Sequence, residues 1–147
     1  MKSLLTKEGY SDIKERLEKL NANSERQWGK MTVGQMVWHC QYPLKLAIAN
    51  KENSSKGNWL INIFFKKSMY SDKPWRKNLP TSPKIKAREP KEFDTEYQKL
   101  SDLVDEFSKL SSRDVWHPHP SFGVFTKNQW GQMEYKHLDH HLRQFGL

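Results

Sequence analysis

Residues 126–146, TKNQWGQMEYKHLDHHLRQFG, carry the strongest structural signal in the chain, that of a long amphipathic helix. Thr126 and Gln129 have the spacing of a capping box, in which a threonine hydroxyl and a glutamine side chain bond the backbone N–H groups that a helix start leaves free. The side chains that then share one helical face are Trp130, Met133, His137, His141 and Phe145. Because that face is largely apolar, we predict that it packs into the protein interior and carries two histidines with it.

Three further segments show helical periodicity, and no segment shows sustained strand alternation. They run from about residue 6 to 21, from Thr32 to about residue 50, and from about residue 90 to 111. The second of them begins with another capping box, formed by Thr32 and Gln35. It also contains Pro43, which we expect to kink the helix because proline lacks the backbone donor.

A long basic connection separates the second and third helical segments. Residues 58–70, NWLINIFFKKSMY, predict a short helix, and residues 72–90, with four prolines, predict an extended loop. Four amphipathic helices without strands predict an all-α fold, a four-helix bundle in which this connection is a long crossover between helices two and three. With 147 residues the chain has the size of one domain, so we assign residues 1–147 to a single helical-bundle domain.

His137 and His141 form the first part of a candidate metal site. At i, i+4 spacing their Cβ atoms lie about 5–6 Å apart on one helix face, and two such imidazoles can share one ion. His39 is the candidate third ligand because it lies on the apolar stripe of the second helix, after Met36. Three neutral imidazoles leave coordination positions for water or substrate, which is typical of a catalytic site. Imidazole suits several divalent ions, of which we favour zinc or nickel.

The same three histidines are also compatible with a structural role, as core residues whose ring nitrogens find hydrogen-bond partners. Cys40 is the obvious fourth ligand, but it points about 100° away from His39 around the helix. That divergence also argues against a thiol–imidazole nucleophile. We expect His140 nearer the surface or just outside the metal ligands. We expect His117 and His119, in the sequence HPHP, to shape or hydrogen-bond their loop.

The net charge of +8 is confined to one part of the chain. Residues 51–91 contain 11 basic and 3 acidic side chains, and the rest of the chain contains 14 of each. This segment is either a solvated face or a surface that attracts an anionic ligand. Trp59, Tyr70 and Trp75 among these basic residues would allow base stacking. Their spacing matches no known recognition motif, so the sequence does not favour a nucleic-acid partner.

We expect a cytoplasmic protein with a reduced thiol. The single cysteine excludes an intramolecular disulfide, and the first residues lack the apolar core of a signal peptide. The longest apolar run, residues 59–65, is far shorter than the roughly 20 residues that span a bilayer. No membrane partner is therefore expected.

Two stretches carry a resemblance to a known family. WGKMTVGQMVWHC, residues 28–40, and HPSFGVFTKNQWGQMEYKHLDHHLRQFG, residues 119–146, resemble the uncharacterised DUF1569 proteins, a branch of the DinB/YfiT-like superfamily. The resemblance spans nearly the whole chain and implies a four-helix bundle. It also implies a metal ion held by one histidine of the second helix and two of the last. By motif these are His39, His137 and His141.

The resemblance further implies a class of activity. Characterised superfamily members include metal-dependent transferases and isomerases that use low-molecular-weight thiols, so we expect a metal-dependent transferase or hydrolase with an anionic or thiol small-molecule substrate. Arg76 and Arg88 are examples of basic residues that would recruit such a substrate. The chain departs from the common superfamily ending, because residues 142–144 are Leu-Arg-Gln in place of Arg-Gly-Gln. The alternative is a non-catalytic bundle that forms a homodimer or binds a partner through its tryptophans and basic segment.

Overall fold

The computed structural model describes residues 1–52, 57, 59–79 and 85–147. Within these ranges the regular structure is helical apart from one isolated bridge between His119 and Gly123, which confirms the all-α class. The helices are α1 Lys7–Leu17, α2 Val33–Ala49, α3 Trp59–Phe64, α4 Lys66–Met69, α5 Phe93–Ser108 and α6 Lys127–Gln144, with a 3-10 turn at Lys109–Ser112. The predicted short helix at 58–70 thus corresponds to α3 and α4. Residues 80–84 of the predicted loop, and residues 53–56 and 58, lie outside the described part.

Both capping boxes form as the sequence predicts. The Thr32 side chain accepts a hydrogen bond from the backbone N–H of Gln35, whose side chain bonds back to Thr32. Thr126 and Gln129 repeat the arrangement at the start of α6. Each box fixes the first residue of a helix that carries candidate ligands.

Two predicted helix ends were wrong by a few residues. α1 ends at Leu17 rather than near residue 21. α5 begins at Phe93 rather than near residue 90. The Glu92 side chain accepts hydrogen bonds from the backbone N–H groups of Asp94 and Thr95 and so caps the helix at this point. α2 runs through Pro43 to its end at Ala49.

The four long helices pack around one apolar core. α1 and α2 each pack against both α5 and α6. Core side chains with at most 1 % exposure include Ile13, Leu17, Met36, Val37, Leu44, Leu100, Val104, Phe107, Leu138 and Leu142. The buried faces of α2 and α6 therefore meet in the interior, with their histidines between them.

The crossover after α3 lies against α6. The Lys136 ammonium donates to the backbone oxygens of Ser68 at 2.6 Å and Ser71 at 2.7 Å. The Trp75 indole N–H donates to the Ser68 oxygen at 2.8 Å. Further along, a Cβ at Gly34 would collide with the Lys91 carbonyl oxygen, so glycine lets the end of the crossover lie directly on α2. The crossover is thus held at both ends against the helices that carry the histidines.

Candidate metal centre

Three buried histidines meet between α2 and α6. One ring nitrogen each from His39, His137 and His141 lies within 4.8 Å of the others. The residues are 3 %, 8 % and 8 % exposed, respectively. The two histidines on α6 come together because they are one turn apart, and His39 joins them because α2 packs on α6. The structure therefore brings together the three residues that the sequence singled out.

Hydrogen bonds fix the orientation of two of the rings. The His39 Nδ1 lies 2.8 Å from the Ile85 carbonyl oxygen, which can only accept, so this nitrogen carries a proton. The His141 Nδ1 lies 2.9 Å from the Gln144 Oε1. The Gln144 amide nitrogen donates to the Trp28 carbonyl at 2.9 Å, which sets the amide orientation. Both Nε2 atoms are therefore left with free lone pairs.

The closest contact in the cluster joins two ring nitrogens. The Nε2 atoms of His39 and His137 lie 3.1 Å apart. Two unprotonated nitrogens at this distance repel each other, so a proton or a cation must lie between them. Two imidazoles on one tetrahedral zinc ion, with Zn–N of 2.0–2.1 Å, have nitrogens about 3.3 Å apart. The spacing of this pair is therefore close to the one that a single zinc ion requires.

Burial keeps all three rings neutral. Desolvation lowers the pKa of His141 to about 3, lowers the pKa of His39, and lowers the pKa of His137 well below its usual value. A metal ion binds the neutral form of imidazole. The three histidines close enough to bind a metal are thus also in the protonation state that metal binding requires.

Two tryptophan rings lie next to histidines of α6. The Trp75 ring centroid lies 6.0 Å from that of His137 and 5.6 Å from that of His140, and the Trp28 ring lies 6.0 Å from His140. His140 is half-buried between these tryptophans, outside the trio as predicted. The Lys77 ammonium lies 4.6 Å above the Trp28 ring and places a cation at the rim.

The other candidates lie outside the cluster. Cys40 is buried, and its thiol lies 3.7 Å from the Met36 sulfur. Burial raises the pKa of this thiol. His117 donates its backbone N–H to the Asn50 side chain, and the His119 Nδ1 accepts from two backbone N–H groups. Both therefore shape their loop, as the sequence predicted.

Sequence reasoning missed several neighbours of the site. The Ile85 carbonyl could not be found because a backbone oxygen leaves no side-chain signal. Trp75 was considered only as a base-stacking residue, whereas its ring packs on His137. Gln144 did leave a signal, since it follows His141 by three residues and so lies on the adjacent helical turn. Arg76 and Arg88 are exposed on the crossover.

Comparison with protein families finds a match over nearly the whole chain. A family model described as a protein of unknown function, DUF1569, matches residues 2–146. No curated protein and no solved structure shows a significant match to the chain.

Proposed function

Because the chain belongs to the DUF1569 family, whose function is unknown, we propose a function from its own site: a metal-dependent enzyme in which His39, His137 and His141 hold one divalent ion. The observation that carries this proposal is the pair of anchored Nδ1 atoms. The Ile85 carbonyl and the Gln144 amide oxygen bond the Nδ1 atoms of His39 and His141 and leave both Nε2 lone pairs free to bind an ion. A metal-ligating histidine usually makes such a bond through its other nitrogen.

The reaction class follows from the number of ligands and from the resemblance to DinB-like proteins. Three protein ligands leave a position open, and zinc or nickel there would lower the pKa of a bound water or thiol. The residues of the chain provide the surroundings. Trp28 and Trp75 restrict water at the outer side of the cluster, and Lys77 at the rim attracts an anionic group. We propose a thiol-dependent transferase or a hydrolase that acts on a small anionic substrate.

Elemental analysis tests the metal site. Protein purified without an affinity tag should contain about one divalent ion per chain, as expected for a three-histidine site. The variant His137→Ala should lose the ion. His117→Ala is the matched control, because that residue lies in a loop outside the cluster, and it should keep the ion. A folded His137→Ala protein with unchanged metal content would contradict the proposal.

Activity assays then separate the two reaction classes. The metal-loaded protein is tested for conjugation of low-molecular-weight thiols to electrophiles and for hydrolysis of activated esters. His39→Ala should abolish whichever activity is found, because it removes a ligand. Lys77→Met should raise KM for an anionic substrate more than it lowers kcat, because an exposed cation contributes to attraction rather than to the chemical step.

One observation favours a second, non-catalytic function. Large apolar side chains in and next to α3 are exposed: Trp59 by 68 %, Leu60 by 48 %, Phe64 by 70 % and Phe65 by 54 %. Clustered exposed apolar side chains mark interaction surfaces. If the chain is a dimer, Phe64→Ser should convert it to a monomer in sedimentation equilibrium, whereas Val115→Ser, at another exposed apolar position, should not. For this non-catalytic function, His39→Gln should leave the fold and the dimer intact, and a chelator should leave Tm unchanged.

The location of the protein is part of the proposal. Within the described residues, no helix combines the length and apolar character that crossing a bilayer requires. We propose a cytoplasmic protein of one DinB-like domain. Cell fractionation with an antibody against the chain tests the location.

A further inference from the structure

Buried side-chain nitrogen and oxygen atoms without a hydrogen-bond partner are confined to one helix in the described part of the chain. They are the Trp130 Nε1, both carboxyl oxygens of Glu134 and the His137 Nδ1. All three residues belong to α6 and follow one another at spacings of four and three, which places them along one side of the helix. An unsatisfied buried polar group destabilises the fold, so a row of them calls for an explanation.

The unpartnered groups are chemically complementary. An indole Nε1 can only donate, and carboxyl oxygens accept. The His137 Nδ1 carries the proton whenever its Nε2 is used as a ligand. Long side chains on a helix lean towards the N-terminus, so the His137 ring leans towards the turn that holds Glu134. Along this side of the helix, the acceptor therefore follows one donor, Trp130, and precedes the other, His137.

Glu134 lies close to α2, the helix that also provides His39. Its side chain is fully buried and lies close enough to Cys40 on α2 to contribute to the raised pKa of that thiol. Cys40 follows His39 directly. Lys136, two residues after Glu134, is not the partner of this carboxyl, because its ammonium bonds the Ser68 and Ser71 carbonyl oxygens. The carboxyl thus lies in the α2–α6 interface, close to Cys40.

The three histidines differ in one respect. His39 and His141 each have an acceptor for Nδ1, namely the Ile85 carbonyl and the Gln144 amide oxygen. His137 has none. We propose that Glu134 is the missing positioning residue of the metal centre, whose carboxyl accepts the His137 Nδ1–H, directly or through one water, and accepts the Trp130 indole N–H on its other side.

The inference rests on the proposed metal site and explains why a carboxyl group is buried there. An isolated buried carboxylate is strongly unfavourable, but a divalent cation one imidazole away offsets its charge. The bond to Glu134 would hold the His137 ring in the ligating orientation and make its Nε2 a stronger donor. Loss of such an outer partner typically lowers metal affinity about 10–100-fold.

Zinc affinity of four proteins tests the proposal, measured by competition with a chromophoric chelator. Glu134→Leu should bind Zn²⁺ about 10–100-fold more weakly than the wild type. Glu134→Gln should retain most of the affinity, because its amide oxygen still accepts the Nδ1–H. Gln144→Leu is the matched control, because it removes the observed acceptor of His141, and it should weaken binding to a similar extent.

The metal-free proteins supply the second readout. Removal of a buried, unpartnered carboxyl should leave the Tm of metal-free Glu134→Leu unchanged or higher. A stable apo protein with weakened zinc binding cannot result from misfolding. In the zinc-loaded wild type, nitrogen-detected NMR should show a protonated, slowly exchanging Nδ1 on His137, and in Glu134→Leu that proton should exchange faster.

The outcomes separate this proposal from the proposed function. If Glu134→Leu binds zinc as tightly as the wild type while Gln144→Leu binds it weakly, the metal site stands and the role of Glu134 is refuted. If the wild type itself binds neither zinc nor nickel, the metal site fails and the role of Glu134 fails with it.

Discussion

His119 shows at the residue scale what burial does to histidine in this fold. Its ring lies 5.5 Å from the Trp130 ring and 4.8 Å from the Phe122 ring, and its Nδ1 accepts the backbone N–H groups of Ser121 and Phe122. Burial lowers the pKa of His119 to about 4. Protonation would remove both hydrogen bonds and place a charge among aromatic rings. His119 is therefore a neutral residue whose hydrogen bonds and ring contacts support the start of α6.

This shift predicts a pH dependence of stability. The unfolded chain binds a proton near pH 6.5 and the folded chain only near pH 4, so the contribution of His119 is complete above about pH 6.5 and is lost as the pH falls towards 4. The slope per group is about 1.4 kcal/mol per pH unit. Urea unfolding with chelator present, at pH 7.5 and 5.5, should show a smaller loss of stability on acidification for His119→Gln than for the wild type. Equal losses would contradict the assignment, since the other histidines are the same in both proteins.

Single residues also show how far sequence could predict the site. His137 and His141 could be paired because helical geometry fixes the relation of residues one turn apart. His39 could be added because it lies on an apolar face that had to meet another helix. Glu134 could not be assigned a role, because its significance depends on which neighbouring atoms lack partners in the folded protein.

At the scale of elements, the two capping boxes position the helices that carry the three histidines. The sequence predicted both starts correctly because a cap involves residues only three positions apart. The end of α1 and the start of α5 were less predictable. α5 is capped by Glu92, a residue outside the usual set of N-cap residues, so its start lacked the usual signal.

The cap of α6 makes a measurable contribution. Thr126→Ala removes the hydroxyl that accepts the Gln129 N–H and should lower the free energy of unfolding by about 1 kcal/mol. Thr126→Ser keeps the hydroxyl and should be close to the wild type. Asn128→Ala, an exposed substitution in the same turn, controls for general effects on the helix. A loss in Asn128→Ala as large as in Thr126→Ala would show that the cap is not the cause. The measurement is chemical denaturation of the metal-free protein.

At the scale of the whole molecule, the basic crossover is part of the site rather than a free loop. Lys136 holds Ser68 and Ser71, the Trp75 ring lies on His137, and the Ile85 carbonyl orients His39. The sequence predicted a long extended connection but not its path, because the path depends on contacts between residues 46 to 68 positions apart. Burial of the cluster is therefore a property of the complete fold.

Loosening the crossover should expose it to protease. Lys136→Met removes the ammonium that bonds two crossover carbonyls. The Ser71 oxygen then loses this donor, and the Ser68 oxygen keeps only the Trp75 indole N–H. Limited trypsin digestion, read by mass spectrometry, should cut within residues 66–91 faster in this variant than in the wild type. Lys19→Met, which changes an exposed lysine outside the crossover and leaves every trypsin site of residues 66–91 in place, serves as control. Unchanged cleavage in Lys136→Met would mean that other contacts hold the crossover in place.

The most informative measurement is X-ray absorption spectroscopy of the zinc-loaded protein. The proposed site predicts three imidazole nitrogens at about 2.0–2.1 Å from the ion, with an oxygen ligand completing the shell. In His137→Ala the imidazole count should fall, in step with weaker binding. A spectrum without imidazole scattering, or with sulfur at about 2.3 Å, would show that zinc binds elsewhere, and the histidines would then be core residues of a protein that acts through its surface.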